Sequence, residues 1–281
     1  MRLPDWVRTR YPSQSVLELK KFLRKSGLHT VCEEARCPNM GTCFSRPAAT
    51  FLIMGPSCTR NCGFCSVDSS SPAPLSHDEP ARLAEAASLM GLKYVVITSV
   101  TRDDLEDGGA AHFAMSIRAV KEAAPGVKVE VLTPDFKGSR EALSIVLEAG
   151  PDVFNHNVET APRLYPVVRP QADYQRSLAV LQNAALAAPH IPVKSGFMLG
   201  LGETRGEVVK MMEALRAHGC RMLTVGQYLQ PSKKNLPVRE YIEPGRFEEL
   251  KEEALQMGFA SVASGPLVRS SMNAEEYYRH V

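Results

Sequence analysis

Two hydrophobic patterns alternate along most of the chain. Short apolar runs rich in β-branched residues predict buried strands at 50–55, 94–100, 128–133, 152–159, 192–200 and 222–229. Longer amphipathic stretches predict helices at 16–25, 80–90, 110–124, 139–149, 174–188, 204–218 and 244–257. Glycine follows several of these helical stretches, as is typical of helix ends, because it adopts the left-handed C′ conformation without a Cβ clash.

From the first predicted strand onward, these elements form six strand–helix units. Strands that are apolar almost throughout predict a parallel sheet covered by helices. Because six units are fewer than the eight of a complete barrel, the pattern favours an α/β fold with an incomplete (β/α)6 TIM-like barrel. A doubly wound open sheet is the alternative, and in both folds ligands bind at the carboxyl ends of the strands. The predicted barrel spans 50–259, between an N-terminal extension at 1–49 and a C-terminal extension at 260–281.

Composition narrows the class of protein. The chain has 281 residues, 44% of them hydrophobic, which is enough for a large core. Its formal charge of +2 gives no electrostatic argument for nucleic acid. No run approaches the roughly 18–20 apolar residues of a membrane span, and residues 1–12 lack the apolar segment of a signal peptide. We therefore expect a cytoplasmic protein, in which clustered cysteines are more often metal ligands than disulfides.

Six of the seven cysteines fall into two groups of three. The first trio, spaced C-x4-C-x5-C, is Cys32, Cys37 and Cys43, and the second, spaced C-x3-C-x2-C, is Cys58, Cys62 and Cys65. Each offers three thiolates where a tetrahedral metal or a 4Fe–4S cluster takes four ligands, and an open position is typical of catalytic sites. For the second trio, a zinc knuckle or unligated core cysteines are the alternatives, although no nearby histidine completes that set. The seventh, Cys220, is predicted to be a buried apolar residue.

The second trio follows the first predicted strand directly and resembles the motif of the radical S-adenosylmethionine (radical SAM) superfamily. This resemblance implies that Cys58, Cys62 and Cys65 bind a 4Fe–4S cluster whose open iron binds S-adenosylmethionine. One electron then cleaves this cosubstrate to methionine and a 5′-deoxyadenosyl radical.

The first trio is more restrictive, because it resembles that of one family in the superfamily, the lipoyl synthases, where it binds a second, auxiliary 4Fe–4S cluster. The resemblance continues through Pro4-Asp5-Trp6, 98–105, 107–110, 155–160, 194–203, 227–231 and Arg269-Ser270-Ser271. In this family the second serine of the last motif is the fourth ligand of the auxiliary cluster, which implies that role for Ser271. Without the cysteines, the serine pair would predict only a turn. The chain departs from the family pattern at Met272 (usually Tyr), Ser70 (usually Gly) and Asn235 (usually His).

Lipoyl synthases insert two sulfur atoms, at C6 and C8 of an octanoyl chain on a carrier-protein lysine. Both carbons are unactivated, so a general base of ordinary pKa does not suffice and hydrogen-atom abstraction is required. The resemblance implies that two S-adenosylmethionine molecules are consumed and that the auxiliary cluster is sacrificed as the sulfur donor. It also implies three partners: an octanoylated lipoyl-carrier domain or glycine-cleavage carrier, an electron donor such as ferredoxin or flavodoxin, and an iron–sulfur cluster carrier.

Candidate cosubstrate contacts lie at predicted strand ends: Ser99, Asn157, Glu159, Lys194, Gly202 and, for a carboxylate, Lys194 or Arg169. Each is equally compatible with a structural role in a barrel. Two other functions compete with lipoyl synthesis. A biotin-synthase-like enzyme would lack the first trio, and a scaffold with two structural zinc sites would contain zinc without sulfide.

Overall fold

A computed structural model describes residues 3–8, 14–40 and 48–279. The strands in these ranges are β1 His29–Thr30, β2 Ala48–Ile53, β3 Tyr94–Ser99, β4 Lys128–Leu132, β5 Val153–Asn155, β6 Val193–Leu199, β7 Met222–Gln227 and β8 Ser261–Gly265. The α-helices are α1 Gln14–Lys25, α2 Val31–Glu34, α3 Glu79–Leu89, α4 Ala110–Ala123, α5 Arg140–Glu148, α6 Tyr165–Val168, α7 Tyr174–Ala187, α8 Arg205–Ala217, α9 Pro244–Gln256 and α10 Ala274–Tyr278. Short 3-10 turns occur at Asp5–Val7, Phe136–Gly138 and Pro162–Leu164. Among the helices of these ranges, none combines the length and apolarity needed to cross a bilayer.

The chain divides into two compact units. The first, called the N-terminal unit, comprises Thr9–Arg60 and Ser66–Phe154. The second, called the C-terminal unit, comprises Met1–Arg8, Asn61–Cys65 and Asn155–Val281.

In the N-terminal unit, the sheet is parallel apart from its first strand. β1 pairs antiparallel with β2, whereas β2, β3 and β4 run parallel, with Phe51 opposite Ile97 and Ile97 opposite Val131. These three side chains are fully buried. Helix α4 buries Phe113, Ile117 and Val120 at helical spacing, so that one apolar stripe faces the core of this unit.

In the C-terminal unit, β6, β7 and β8 form a parallel sheet in which Phe197 lies opposite Val225 and Val225 opposite Ser264. Helix α8, which follows β6, begins with a capping box. The Thr204 hydroxyl accepts from the Glu207 amide, and the Glu207 carboxylate accepts from the Thr204 amide. This reciprocal pair satisfies amides at the start of the helix that have no intrahelical partner.

The α/β class, with mostly parallel strands, is confirmed. All six predicted strands and the predicted helices are present, although β5 is shorter than 152–159. Two strands were missed. β1 has only two residues, and β8, Ser-Val-Ala-Ser-Gly, contains one β-branched residue and therefore lacks a strand pattern of its own. Because β8 runs parallel to β7, part of the predicted C-terminal extension belongs to the sheet of its unit.

Candidate functional site

Cys58 lies in the N-terminal unit, in the loop that follows β2. Its Sγ accepts hydrogen bonds from two backbone amides, that of Arg60 at 3.4 Å and that of Thr101 at 3.2 Å. The loop is held by further backbone bonds, from the Cys58 amide to the Asp68 carbonyl (2.7 Å) and from the Thr59 amide to the Thr101 carbonyl (3.0 Å). Backbone amides directed at a sulfur are the usual hydrogen-bond partners of cluster-bound cysteines.

Arg60, two residues after Cys58, is buried between two carboxylates of the same unit. Its guanidinium donates to Asp103 at 2.7 and 3.0 Å and to Asp135 at 2.6 and 3.1 Å. Burial alone would lower the pKa of Arg60, but the bonds to Asp103 and Asp135 outweigh it and hold this pKa above its usual value. The sequence predicted no role for this residue.

Cys62 and Cys65 lie in the C-terminal unit, where they form a tight turn. The Cys65 amide donates to the Cys62 carbonyl at 3.0 Å, and the Gly63 amide donates to the Val168 carbonyl at 2.9 Å. The Asn235 side chain donates to the Cys65 carbonyl at 2.7 Å, so this departure from the family pattern supports the turn directly. Phe64 packs against an apolar cluster of Val168, Leu201 and Tyr228.

Arg169 places a buried cation in the same unit. Its Nη1 donates to the carbonyl oxygens of Asn157 (3.0 Å) and Val158 (3.3 Å), and its guanidinium lies 5.4 Å from the centre of the Tyr165 ring. Burial lowers the pKa of Arg169, but the charges of Tyr165, Glu159 and Cys62 outweigh it and raise this pKa. A positive charge that acts on Cys62 stabilises its thiolate.

Ser270 is held by three residues of the C-terminal unit. Its hydroxyl accepts from the Asn157 amide group at 2.8 Å and lies 3.4 Å from the Thr224 hydroxyl, and its carbonyl accepts from Lys194 Nζ at 2.6 Å. Asn157 and Lys194, predicted as cosubstrate contacts, therefore bind the loop between β8 and α10, residues 266–273, hereafter the C-terminal loop.

Two glycines allow this loop to lie against β6 and β7. A Cβ at Gly226 would overlap the Val268 carbonyl oxygen, and a Cβ at Gly196 would overlap the Thr224 hydroxyl that faces Ser270. The half-buried Ser271, next along the loop, has no side-chain hydrogen bond within residues 3–8, 14–40 and 48–279.

Glu159 has an unusual backbone in the C-terminal unit. Its φ is 66°, a left-handed conformation that is rare for glutamate, and the bonds to Gly196 (3.0 Å) and Met198 (2.9 Å) hold it there. Burial raises the pKa of its carboxyl, although the charge of Arg169 opposes this. Gly202 lies in a turn of the same unit, where Glu203 accepts from the Gly200 and Leu201 amides at 2.6 and 3.0 Å.

Ser99, the last residue of β3, belongs to the N-terminal unit. Its hydroxyl is buried without a hydrogen-bond partner among the described residues. A buried polar atom of this kind, at the carboxyl end of a parallel strand, fits a contact to a bound ligand.

The first trio begins on α2, which Thr30 caps by accepting from the Glu33 amide at 3.3 Å. Cys32 is buried, and the Cys37 amide donates to its carbonyl at 2.9 Å. Cys37 lines an open cleft of about 650 Å³ within the N-terminal unit. Cys43 lies outside the described residues, whereas Cys220 is fully buried, as predicted.

Within the described ranges, which omit Cys43, no three or more His, Cys, Asp or Glu side chains are gathered closely enough to hold a single metal ion. In a 4Fe–4S cluster, however, each thiolate binds a different iron, so donor chemistry is the relevant comparison. The hydrogen bonds that backbone amides donate to Cys58, and the positive charge of Arg169 that acts on Cys62, fit an anionic, thiolate-bound cluster.

The sequence did not predict the structural roles of three residues: Arg60 between two carboxylates, Asn235 as a donor to the Cys65 carbonyl, and Ser270 as the anchor of the C-terminal loop. Arg60 stands between two predicted ligands, a position that could have marked it, but its acidic partners are 43 and 75 residues away. No spacing rule connects residues so distant.

Solved structures show the fold. A crystal structure of methylornithine synthase (PylB) matches with a TM-score of 0.57 at 17% identity, over 75% of this chain and 62% of that one. The [FeFe]-hydrogenase maturase HydG from Carboxydothermus hydrogenoformans matches with a TM-score of 0.61 at 15% identity, over 89% of this chain and 65% of that one. At such identities these matches carry no information about the reaction.

Sequence comparison gives the family. The profile of the radical SAM superfamily matches residues 52–215, and that of the N-terminal domain of lipoyl synthase matches residues 1–37. The lipoyl synthase of Aeromonas hydrophila is 54% identical over 98% of this chain and 87% of its own length, and that of Coxiella burnetii 57% identical over 98% and 88%. With this identity over nearly the full length of both sequences, the chain belongs to the lipoyl synthase family of the radical SAM superfamily.

Proposed function

We propose that this chain inserts sulfur at C6 and C8 of an octanoyl group on a carrier-protein lysine, with two 4Fe–4S clusters and S-adenosylmethionine as cosubstrate. Two cysteine trios, in a chain more than half identical to lipoyl synthases, carry this proposal. When bound, the clusters and the cosubstrate would supply the radical that abstracts hydrogen atoms from unactivated carbon, and also the sulfur that is inserted. The protein supplies ligands, position and exclusion of water.

The second trio, Cys58, Cys62 and Cys65, would hold the cluster that binds the cosubstrate. Three features support this assignment: the amides that donate to Cys58, the Arg169 cation near Cys62, and the Asn235 side chain that fixes the Cys65 carbonyl. The bonds to Cys58 and Cys65 fix the orientation of these two residues, and the positive charge of Arg169 acts on Cys62.

The first trio, Cys32, Cys37 and Cys43, would hold the auxiliary cluster, with Ser271 as its fourth ligand. Ser270 is occupied by Asn157 and Thr224, whereas the Ser271 hydroxyl makes no hydrogen bond in the described part of the chain. An oxygen ligand is harder than a thiolate and binds iron–sulfur iron less strongly, which suits a cluster that gives up sulfur.

Among the candidate cosubstrate contacts, Ser99 and Glu159 have the strongest support. Ser99 has a buried hydroxyl without a partner in the described ranges, and Glu159 is held in a strained conformation of the kind that clusters at functional sites. Asn157 and Lys194 would contribute chiefly through Ser270, and Gly202 through the turn that Glu203 holds.

The fold and partners follow from the same proposal. A strand followed by a helix occurs six times from β2 to α9, which supports an incomplete (β/α)6 barrel over 50–259. The extensions at 1–49 and 260–281 would carry the auxiliary cluster, and the second of them also contributes β8 to the sheet of its unit. Members of this family act on octanoylated carriers and use a reductant. The carrier would be a lipoyl domain or glycine-cleavage carrier, the reductant ferredoxin or flavodoxin, and a cluster carrier would restore the spent cluster in the cytoplasm.

The test is an anaerobic reaction of the iron- and sulfide-reconstituted protein with reductant, S-adenosylmethionine and an octanoyl-lysine peptide, followed by mass spectrometry. We expect about eight iron ions per chain, four per cluster, and a peptide with one and then two added sulfurs. Cys62→Ala should abolish 5′-deoxyadenosine release, whereas Cys37→Ala should retain release without sulfur insertion. About two zinc ions without sulfide, or no thiolated peptide from protein with both clusters, would refute the proposal.

A further inference from the structure

We propose that Arg60 is a positioning residue for the cluster bound by the second trio, and that it acts by fixing the backbone amide that donates to Cys58. This inference rests on the proposed function, since it assumes a cluster on Cys58. It assigns a role to a side chain that binds neither iron nor substrate. All the contacts that support it lie within the N-terminal unit.

The Arg60 side chain is anchored by two carboxylates. Arg60 bonds to Asp103, in the loop after β3, and to Asp135, in the loop after β4, with two hydrogen bonds to each. Its side chain is 4% exposed, and the Asp135 side chain is fully buried. A planar guanidinium with four directed bonds is fixed in position and orientation, unlike a flexible surface ion pair.

The backbone of Arg60 connects this anchored side chain to Cys58. The amide of the same residue, Arg60, donates to Cys58 Sγ at 3.4 Å. The other sulfur-directed amide, that of Thr101, belongs to the loop after β3 that also contains Asp103. Thr59, between Cys58 and Arg60, joins the two segments again, since its hydroxyl accepts from the Asp103 amide at 3.0 Å. The bonds of Arg60 therefore hold both sulfur-directed amides in one arrangement.

Arg60 affects the cluster through the position of its backbone amide and not through its charge. Arg60 is positive, but Asp103 and Asp135 are both negative, so the group carries one net negative charge. Such a group would not by itself favour adding an electron to an anionic cluster. Hydrogen bonds to cluster sulfurs do favour reduction, because they stabilise the more negative state. The contribution of Arg60 to the cluster is therefore geometric.

The test uses Arg60→Lys, which keeps the charge but loses the planar fork that binds two carboxylates at once. The reconstituted full-length protein is compared with the wild type in three measurements. These are the midpoint potential of the cluster on the second trio, its electron paramagnetic resonance (EPR) spectrum when reduced, and the rate of 5′-deoxyadenosine release. Every sample, including the wild-type reference for Arg60, also carries Cys37→Ala, so that the auxiliary cluster does not contribute to the spectra.

Arg102→Lys is the matched control. Arg102 is also buried and bonds bidentately to a carboxylate, but its partner, Asp104, lies two residues away in the same loop. We expect Arg60→Lys to shift the potential to more negative values, alter the spectrum and slow release about 10–100-fold, as is usual when a group supporting a ligand is changed. Arg102→Lys should leave the potential and spectrum unchanged.

If Arg60→Lys does not fold, Asp135→Asn tests whether Arg60 positions the amides that donate to Cys58. Removal of a negative charge alone would raise the potential, whereas loosening of Arg60 would lower it. A negative shift or an altered EPR spectrum therefore supports positioning, and a positive shift or none, with the wild-type spectrum, overturns it. The proposal is also overturned if folded Arg60→Lys has the wild-type potential and spectrum and differs only in a lower melting temperature. Arg60 would then be only a stabilising ion-pair partner. If the wild type releases no 5′-deoxyadenosine, the proposed function fails instead.

Discussion

Ser270 and Ser271 are adjacent residues whose side chains have different surroundings. The Ser270 hydroxyl is bonded to Asn157 and lies near the Thr224 hydroxyl, while its carbonyl accepts from Lys194. The Ser271 side chain, half-buried, has no such bond in the described residues. One serine therefore anchors the C-terminal loop, and the other is available as a ligand.

Substitution of each serine should separate the two roles. Ser270→Ala removes a partly buried hydrogen bond and should lower the free energy of unfolding by about 1 kcal/mol. Ser271→Ala should change that free energy by less than about 0.5 kcal/mol. Only Ser271→Ala should abolish sulfur insertion while 5′-deoxyadenosine is still released. Urea unfolding and peptide mass spectrometry measure the two effects, and the reverse pattern would exchange the roles.

At the residue scale, the sequence singles out the cysteines as candidate ligands because those of each trio lie within a few residues of each other. It assigned Asn157 and Lys194 to the cosubstrate, because ligands bind at strand ends. Asn157 follows the carboxyl end of β5, but Lys194 is the second residue of β6 and lies at the amino end of that strand. Their bonds to Ser270 join residues 113 and 76 positions apart. Such pairings depend on how strands assemble, which spacing does not reveal.

At the scale of elements, β7 and the C-terminal loop approach each other closely because Gly226 has no side chain. The Val268 carbonyl occupies the space that a Cβ would need. Four residues after Gly265, at which β8 ends, the loop reaches Arg269 and the two serines. The absence of a side chain on one strand thus decides where another segment can lie.

Gly226→Ala should push the C-terminal loop away from β7, at a cost of about 1–3 kcal/mol. We expect sulfur insertion to fall at least about tenfold, since a small displacement at a reactive site has large effects, while 5′-deoxyadenosine release changes less. Gly245→Ala is the control, because a Cβ there meets no atom within 4 Å and lies in helix α9. It should be neutral or slightly stabilising. Equal effects of the two substitutions on insertion would contradict this interpretation.

The sequence predicted most helices to within one or two residues, because caps and glycines mark their ends locally. Thr204 with Glu207 is one example, and Ser139, which accepts from the Ala142 amide, is another. β8 was missed because pairing with β7, and not its own composition, makes it a strand.

At the scale of the whole molecule, partly exposed ion pairs make the free energy of unfolding depend on pH. Burial alone would raise the pKa of Asp152, but bonds from the Val129 amide and from Lys121 and Lys128 hold it below its usual value. A carboxyl with a lowered folded pKa stabilises the fold above its unfolded pKa of about 4, and this contribution is lost as pH falls through the folded pKa.

Asp152→Asn should therefore reduce the free energy of unfolding by about 1 kcal/mol at pH 6, a value limited by the partial exposure of the lysines. The difference from the wild type should shrink as pH falls below about 4, because the wild-type carboxylate becomes protonated. Urea unfolding of the cluster-free chain between pH 3 and 7 measures both effects. A difference that stays constant over this range would show that the charge of Asp152 is not responsible.

The anchored serine also has a consequence for how this protein can vary in length. Residues 266–269 connect the end of β8 to Ser270, and they bring that residue to Asn157 and Lys194 in one register. An inserted or deleted residue in this connection would bring a neighbour to the anchoring position and move Ser271, the proposed ligand, with it. Substitutions within 266–269 can therefore be tolerated where insertions and deletions cannot.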